Sequence, residues 1–359
     1  MKLRTAAARA TSLLAYARWL ENTGTDWRYF PPRKDERCLV RYRGFLVSQR
    51  DDGTLAASTA TQRMRTVVHF YRWMNAAGLI SADWPMWREK SVGIRLPDRF
   101  GFDRLISSRT TDLAIPNRVR RGDRLEDGVV PVTQRDRDRI LTFARSNASE
   151  ETFLMLAIGF FTGMRLQTIS DLKVGSLDCA LPDGSSEDLY RIEVGPTAIP
   201  PVATKFDVSG SIFIPKNLLD HLKQYSESTR RLKREARAAN GLKDLLFLTR
   251  FGNAYAARGT DKSSALNVEM HALRKRGKRQ GIDALSNFRF HQTRATFATE
   301  LARASIRAGG AIQALQIVRE ALLHKSEATS LKYIRFIEKV ETKKKVADEF
   351  TRAFLGLDL

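Results

Sequence analysis

The sequence predicts a mainly α-helical protein with a small antiparallel β-sheet, divided into two units. Three observations carry this. Apolar residues recur at helical spacing up to about residue 82 and again beyond residue 129. Alternation with a period of two dominates the stretch 188–214. Between 83 and 128 no period is sustained, and Pro85, Pro97 and Pro116 punctuate the chain. At 359 residues there is enough chain for two full hydrophobic cores.

The first unit, 1–82, reads as helices over Ala6–Asn22, Glu36–Gln49 and Ser58–Ala77. The second helix places Cys38, Tyr42 and Phe45 on one face. The third points Met64, Val67, Val68 and Tyr71 inward, with Ser58 as its N-cap. Its other side carries Arg63, Arg65 and Arg72, which either line a nucleic-acid backbone or form a solvated face. Residues 83–128 read as a basic linker, with Arg118, Arg120, Arg121 and Arg124 in one run. Such a length without structure is unusual, so some local order or a nucleic-acid contact is expected there.

The second unit, 129–339, opens at Val130. Thr133 followed by Asp136 marks a capped helix start. Glu150 to Thr162 is apolar nearly all round and reads as the central helix. Gly163 ends it, and Arg165 begins the next helix, at a junction that faces a pocket more readily than a mid-helix position does. Strands follow at Leu189–Val194 and Ser211–Ile214, with Lys205 presented between them. Helices resume after Pro215 with Leu218, Leu219, Leu222 and Tyr225 apolar. Met270–Arg279 is a basic helix ending at Gly281. The last segment, 340–359, is a helix with Val346, Phe350, Phe354 and Leu357 on one face.

Charge narrows the partners. Lys and Arg number 61 against 40 Asp and Glu, a formal +21. That excess points to a polyanion, with nucleic acid first. Cys38 and Cys179 belong to no CxxC or Cys/His cluster, so neither a zinc site nor a disulfide framework is expected. Their scarcity fits a reducing cytosol. The longest apolar run, Phe153–Phe161, is about half a membrane span, so no membrane partner is expected.

The chemistry-bearing residues cluster late in the sequence. His291-Gln292-Thr293-Arg294 is followed by His324 and then by Tyr333. Two histidines, an arginine and a phenol can hold a phosphodiester and attack it. Each has an ordinary reading by itself: Tyr333 packs beside Thr329 and Ile337, the histidines end or cap helices, and Arg165 and Arg294 make ion pairs. Lys205 is one lysine among many. The joint order carries the argument. Thr162-Gly163-Met164-Arg165, then Thr204-Lys205 before a strand, then His291-x-x-Arg294, then Leu322-Leu323-His324 and Tyr333 resembles the tyrosine recombinases, or phage integrases, over about Val130–Phe336. The N-terminal helices, notably Tyr71-Arg72-Trp73-Met74, are similar to that family's core-binding domain.

The resemblance implies a fold and a mechanism: an α-helical core-binding domain, a basic linker, a DNA breaking-rejoining catalytic domain and a C-terminal helix. Tyr333 would attack the scissile phosphate, forming a 3′-phosphotyrosyl link and freeing a 5′-hydroxyl. The covalent link stores the bond, so neither ATP, a cofactor nor a metal is expected. A phenol of pKa about 10 costs roughly 4 kcal/mol to ionise at neutral pH, so His291 or His324 would assist. Arg165 and Arg294 would hold the non-bridging oxygens, for which a planar guanidinium fork is suited. His324 would donate a further bond, and Lys205 would protonate the departing 5′-oxygen.

The sequence departs from the family at three places. The acid usual three residues after the first arginine is Thr168, which either slows the chemistry or leaves that role to Asp171. The usual glycine before the closing histidine is Leu323. The usual leucine before the second arginine is Thr293. Double-stranded DNA is the expected partner, with a homotetramer assembled through the C-terminal helix, accessory proteins, and a cytoplasmic, nucleoid-associated location. Packing of the tail on its own unit is the alternative to docking on a neighbour. Two other functions fit the fold: a non-catalytic DNA-binding protein, opposed by the intact six-residue set and only slightly favoured by Thr168, and a relaxing topoisomerase, disfavoured by the integrase-like closing box.

Overall fold

The computed structural model describes residues 3–97, 103–116, 125 and 128–355. The chain divides into two compact units, Met1–Arg121 and Gly122–Leu359. Among the described residues no helix is long and apolar enough to cross a membrane.

In the first unit, helices α1 (Leu3–Thr23), α2 (Cys38–Asp51) and α3 (Ala57–Ala76) enclose an aromatic core. Met64, Val67, Val68 and Tyr71 all face inward, as their spacing predicts. Ser58 is not the N-cap of α3; Ala56 holds that position without a side-chain bond. Phe45 also differs from expectation, lying 38% exposed at the edge of Trp19 and Tyr42. At the centre, Tyr16 and Tyr71 share a hydrogen bond of 2.8 Å and both contact the Cys38 thiol. Burial raises the pKa of both phenols and of the thiol.

The stretch 83–128 contains a long antiparallel hairpin, β1 (Glu89–Pro97) and β2 (Asp103–Thr111), in continuous register from Glu89↔Thr111 to Pro97↔Asp103. Met86 before it and Leu113 and Ile115 after it belong to the core of the first unit. Asp112 ties this region down, accepting from the Arg88 N–H at 2.9 Å and from Lys34 at 2.7 Å. Arg118, Arg120 and Arg121 lie outside the described residues.

The second unit is built on α4 (Gln134–Asn147) and α5 (Glu150–Thr162). Thr133 caps α4, its hydroxyl accepting from the Asp136 N–H at 3.1 Å. Helix α5 is buried on nearly every face, as a helix apolar nearly all round must be. Two short helices follow, α6 (Leu166–Ser170) and α7 (Val174–Asp178), and then the sheet of β3 (Leu181–Asp183), β4 (Ser186–Val194) and β5 (Gly210–Pro215). The last two strands pair as Tyr190↔Ile214 and Ile192↔Ile212, which puts Ile192, Ile212 and Ile214 in the core.

Helices α8 (Lys216–Glu227), α9 (Thr229–Glu235) and α10 (Ser264–Arg279) pack around this centre. Between them lies a buried ionic knot. Glu151 is 0% exposed; it accepts from Arg230 at 2.8 and 2.9 Å, from Arg234 at 2.9 Å and from the Tyr225 hydroxyl at 3.0 Å. Burial pushes the carboxyl pKa up, but the two guanidiniums more than offset it and hold it below its usual value. Helix α11 (Gln292–Ala321) changes direction at Gly310, whose φ is +80°. Helix α12 (Glu327–Leu355) returns along it and carries Tyr333. The C-terminal segment is therefore continuous with the helix of the tyrosine.

Candidate active site

The site is assembled where α5 ends. Gly163 closes α5 in the left-handed conformation, φ +67°, so that the chain turns directly into α6. A side chain there would strike Phe297 and Leu322. Arg165 caps α6 with extended backbone, which aims it off the helix axis. The Gln167 N–H in the first turn of α6 is bound by Asp261 at 3.0 Å, which fixes the junction from the other side.

Arg294 is the tie between distant elements. It sits in the first turn of α11 and is almost fully buried. One guanidinium nitrogen donates to the Gly163 carbonyl at 2.6 Å, and another donates to the Leu322 carbonyl at 2.8 Å. The α5–α6 turn and the C-terminal end of α11 are thus held by one side chain. Arg165, Lys205 and Arg294 line one small pocket, together with Thr168, Thr204, Leu322 and Leu323. Three basic side chains on the lining of one recess give it the positive charge that a phosphate needs.

The closing segment lies against this pocket. Leu323 adopts φ +50°, the left-handed region, and its side chain lies over Gly210 in β5, where a Cβ would come within 2.6 Å of it. This accounts for the departure from glycine: leucine accepts the backbone strain and fills the space left by Gly210. His324 follows, largely buried, with Nδ1 at 2.8 Å from the Ser330 hydroxyl. Its ring stacks on that of Tyr333, with centroids 6.0 Å apart and planes at 15°. Tyr333 is fully covered, among Ala295, Ala298, Leu322, Ile334 and Ile337.

His291 stands apart from the small pocket. It is the N-cap of α11 and lines a larger neighbouring cleft of about 650 Å³ with Arg274, Asn287 and Arg289. Arg274 is held there by the Phe288 carbonyl at 3.0 Å. In the first unit, Arg65 is exposed and Arg63 is half-buried near Tyr42, whose pKa burial pushes up to about 12 against the opposing charge of Arg63. Arg72 is paired to Glu89 at 2.8 and 2.9 Å and lies over the Trp87 ring.

Sequence reasoning missed Asp261, Ser330 and the anchoring role of the Gly163 carbonyl. Ser330 had a usable signal: it lies three residues before Tyr333 and six after His324, close enough for a helix turn to bring it to either ring. Asp261 sits in a loop far from Gln167, and no local pattern announces it.

This architecture is that of tyrosine recombinase catalytic domains: a mostly helical unit with a small antiparallel sheet. Residues 131–338 match the model of the phage integrase family, well over half of the chain, and the chain belongs to that family. It is a tyrosine-type site-specific recombinase. Solved structures agree on the fold. The Tn1549 transposon integrase in complex with circular-intermediate DNA is 15% identical, with a TM-score of 0.56 over 96% of this chain and 94% of the other. The same integrase with transposon right-end DNA gives 14% and 0.54 over the same shares. A lambda integrase tetramer bound to a Holliday junction gives 15% and 0.52, over 93% of this chain and 72% of the other. No curated protein matches in sequence. Nothing in these likenesses favours a non-catalytic or a relaxing protein.

Proposed function

We propose that Tyr333 is the nucleophile and that Arg165, Lys205, His291, Arg294 and His324 are its catalytic partners in strand exchange at the ends of a mobile element. The observation that carries this is the shared pocket of Arg165, Lys205 and Arg294, joined through Arg294 to the turn that bears His324 and faces Tyr333. The two arginines bind the non-bridging oxygens of the scissile phosphate and stabilise the charge that builds in the pentacoordinate transition state. Losing one such donor costs roughly 3 kcal/mol, about a hundredfold in rate. As the phosphorus–oxygen bond to the 5′ side breaks, Lys205 gives its proton to the leaving oxygen. His324 donates a further hydrogen bond to the phosphate, and His291 serves from the neighbouring cleft.

A covered phenol cannot touch a phosphate. Attack by Tyr333 therefore requires the first turns of α12 to shift, which DNA binding and assembly would drive. Helix α12 also offers the means of assembly, since Val346 and Phe350 are each 58% exposed on its far part. In this reading they dock on a neighbouring protomer, in line with the tetrameric lambda integrase. The side chains of Phe354 and Leu357 lie outside the described residues. The first unit serves as the core-binding domain, with Arg63 and Arg65 following the phosphate backbone. Arg72 joins them only by leaving Glu89. Arg118, Arg120 and Arg121 extend the basic track, and nucleoid association follows from the +21 charge.

The test is covalent capture. The protein is mixed with a pool of nicked duplexes of randomised sequence, the protein-linked DNA is recovered under denaturing conditions, and the attached ends are sequenced. A common sequence joined through its 3′ end supports the assignment, and Tyr333→Phe should abolish capture. Tight binding with no linked DNA from any duplex would overturn it. Plasmid relaxation without recombinant products would favour the topoisomerase function instead.

A further inference from the structure

Lys205 stands on an unfavourable piece of backbone. The two residues after it, Phe206 and Asp207, both have left-handed φ angles, +68° and +54°. Neither is glycine, and each such residue costs about 1–2 kcal/mol. A loop of this kind keeps one geometry when its surroundings over-determine it. On the downstream side the Thr204 hydroxyl donates to the Val208 carbonyl at 2.6 Å and closes the loop on itself. On the upstream side Val202 pairs with Gly195 in both directions, at 3.0 and 3.1 Å. Between these ties the backbone is gripped by a side chain from elsewhere. The Ala203 N–H donates to Asp171 Oδ2 at 2.6 Å.

Asp171 is a built anchor. It directly follows α6, the helix capped by Arg165, and is 6% exposed. Its other oxygen, Oδ1, accepts from Lys173 Nζ at 2.8 Å, and that ammonium also donates to the Asp171 carbonyl at 3.0 Å. Arg258 Nε lies 3.4 Å from Oδ2. The carboxylate is thus held by a buried ammonium on Oδ1, while Oδ2, with Arg258 beside it, takes the backbone N–H two residues ahead of Lys205. Thr168, where the family places an acid, lines the same pocket as Lys205 and has no charge to offer.

We propose that Asp171 is a positioning residue for Lys205, setting where the ammonium meets the leaving oxygen. This rests on the reading of Lys205 as the general acid. The alternative is a buried ion pair that only stitches the end of α6. The two differ in which chemical step suffers. When Tyr333 attacks phosphorus, the bond to the 5′-oxygen breaks and that oxygen takes a proton from Lys205. If the bridging atom is sulfur, the leaving group is a thiolate, far less basic than an alkoxide, and departs without a proton donor. A residue that acts through Lys205 becomes dispensable on the sulfur substrate. A residue that merely supports the fold does not.

The experiment uses the full chain and the duplex recovered by covalent capture, made with an ordinary phosphate or with a 5′-bridging phosphorothiolate at the scissile position. Single-turnover cleavage is followed for Lys205→Ala, Asp171→Ala and Asp171→Leu/Lys173→Met, since neither alanine nor leucine can accept from the Ala203 N–H. The double variant removes the buried ammonium together with its partner. Lys205→Ala should lose about a hundredfold or more on the ordinary phosphate and cleave the sulfur substrate close to wild type. Both Asp171 variants should lose about tenfold or more on the phosphate, from misplacement alone, and also cleave the sulfur substrate close to wild type. Equal loss on both substrates, which a general loss of folding also gives, overturns the inference, as does full activity on the phosphate. If sulfur rescues Lys205→Ala but neither Asp171 variant, the inference fails alone. If sulfur does not rescue Lys205→Ala, the general-acid reading fails first.

Discussion

Replacing Gly163 by alanine probes the point on which the site hangs. The residue has φ +67°, and alanine there costs about 1–2 kcal/mol in backbone strain. Its new methyl would also press on the Phe297 ring and approach Leu322 Cδ2 to 2.7 Å, an overpacking cost of about 1–3 kcal/mol. Together these predict a loss of roughly 2–5 kcal/mol, or a fall in melting temperature of roughly 5–15 °C for a unit of this size. The protein supplies its own control. All five tryptophans, Trp19, Trp27, Trp73, Trp84 and Trp87, lie in the first unit. Tryptophan fluorescence should therefore melt as in wild type, while the far-ultraviolet dichroism of the helices in the second unit melts earlier. The Gly163 carbonyl also holds Arg294 at 2.6 Å, so strand cleavage at a temperature where the variant is folded should fall by about a hundredfold. A variant with unchanged dichroism melting and wild-type cleavage would refute the claim that this turn is packed tight and anchors the arginine.

Three further outcomes follow from the geometry. Glu151→Gln should destabilise the second unit by about 3 kcal/mol at neutral pH, because Arg234 and Arg230 lose their shared counter-charge. The Glu151 pKa is held low in the folded state, so its contribution is present above the usual carboxylate value of about 4.3 and is lost as pH falls through the folded value; the gap between wild type and variant should close in acid urea melts. Ser330→Ala removes the partner of buried His324 Nδ1, so it should cost about 1–3 kcal/mol of stability and, at a temperature where the variant is folded, slow cleavage roughly ten- to a hundredfold, as measured by melting and single-turnover kinetics. Val346→Asp places a charge on an exposed apolar position, so it should leave the monomer as stable as wild type but abolish higher-order complexes on DNA in gel-shift assays; unchanged assembly would rule out docking through this helix.

Periodicity made much of the fold legible. Helix α5 covers the Glu150–Thr162 stretch that the sequence marks, because capping by Ser149 and termination by Gly163 are both local. Strands β4 and β5 were legible through alternation, whereas β3 is three residues of Leu-Pro-Asp with no pattern to show. The hairpin of β1 and β2 was hidden behind prolines and charge, since pairing in a two-stranded ribbon is set between strands rather than along one. The candidate site was legible as an order of residue types, of which the structure brings Arg165, Lys205 and Arg294 to one pocket and sets His324 beside Tyr333. Its supports were not. Asp261, the Gly163 carbonyl and the packing of Leu323 over Gly210 join positions far apart in the chain, and such contacts leave no local spacing.

In the proposed reaction Tyr333, buried here beside His324, is the residue that joins DNA. The direct test is to digest the covalently captured complex with a protease and a nuclease and to locate the nucleotide by mass spectrometry. A single modified peptide spanning Tyr333 is expected, with a 3′-linked nucleotide on the phenol, and none from Tyr333→Phe. A nucleotide on any other residue, or on the 5′ side of the break, would contradict it.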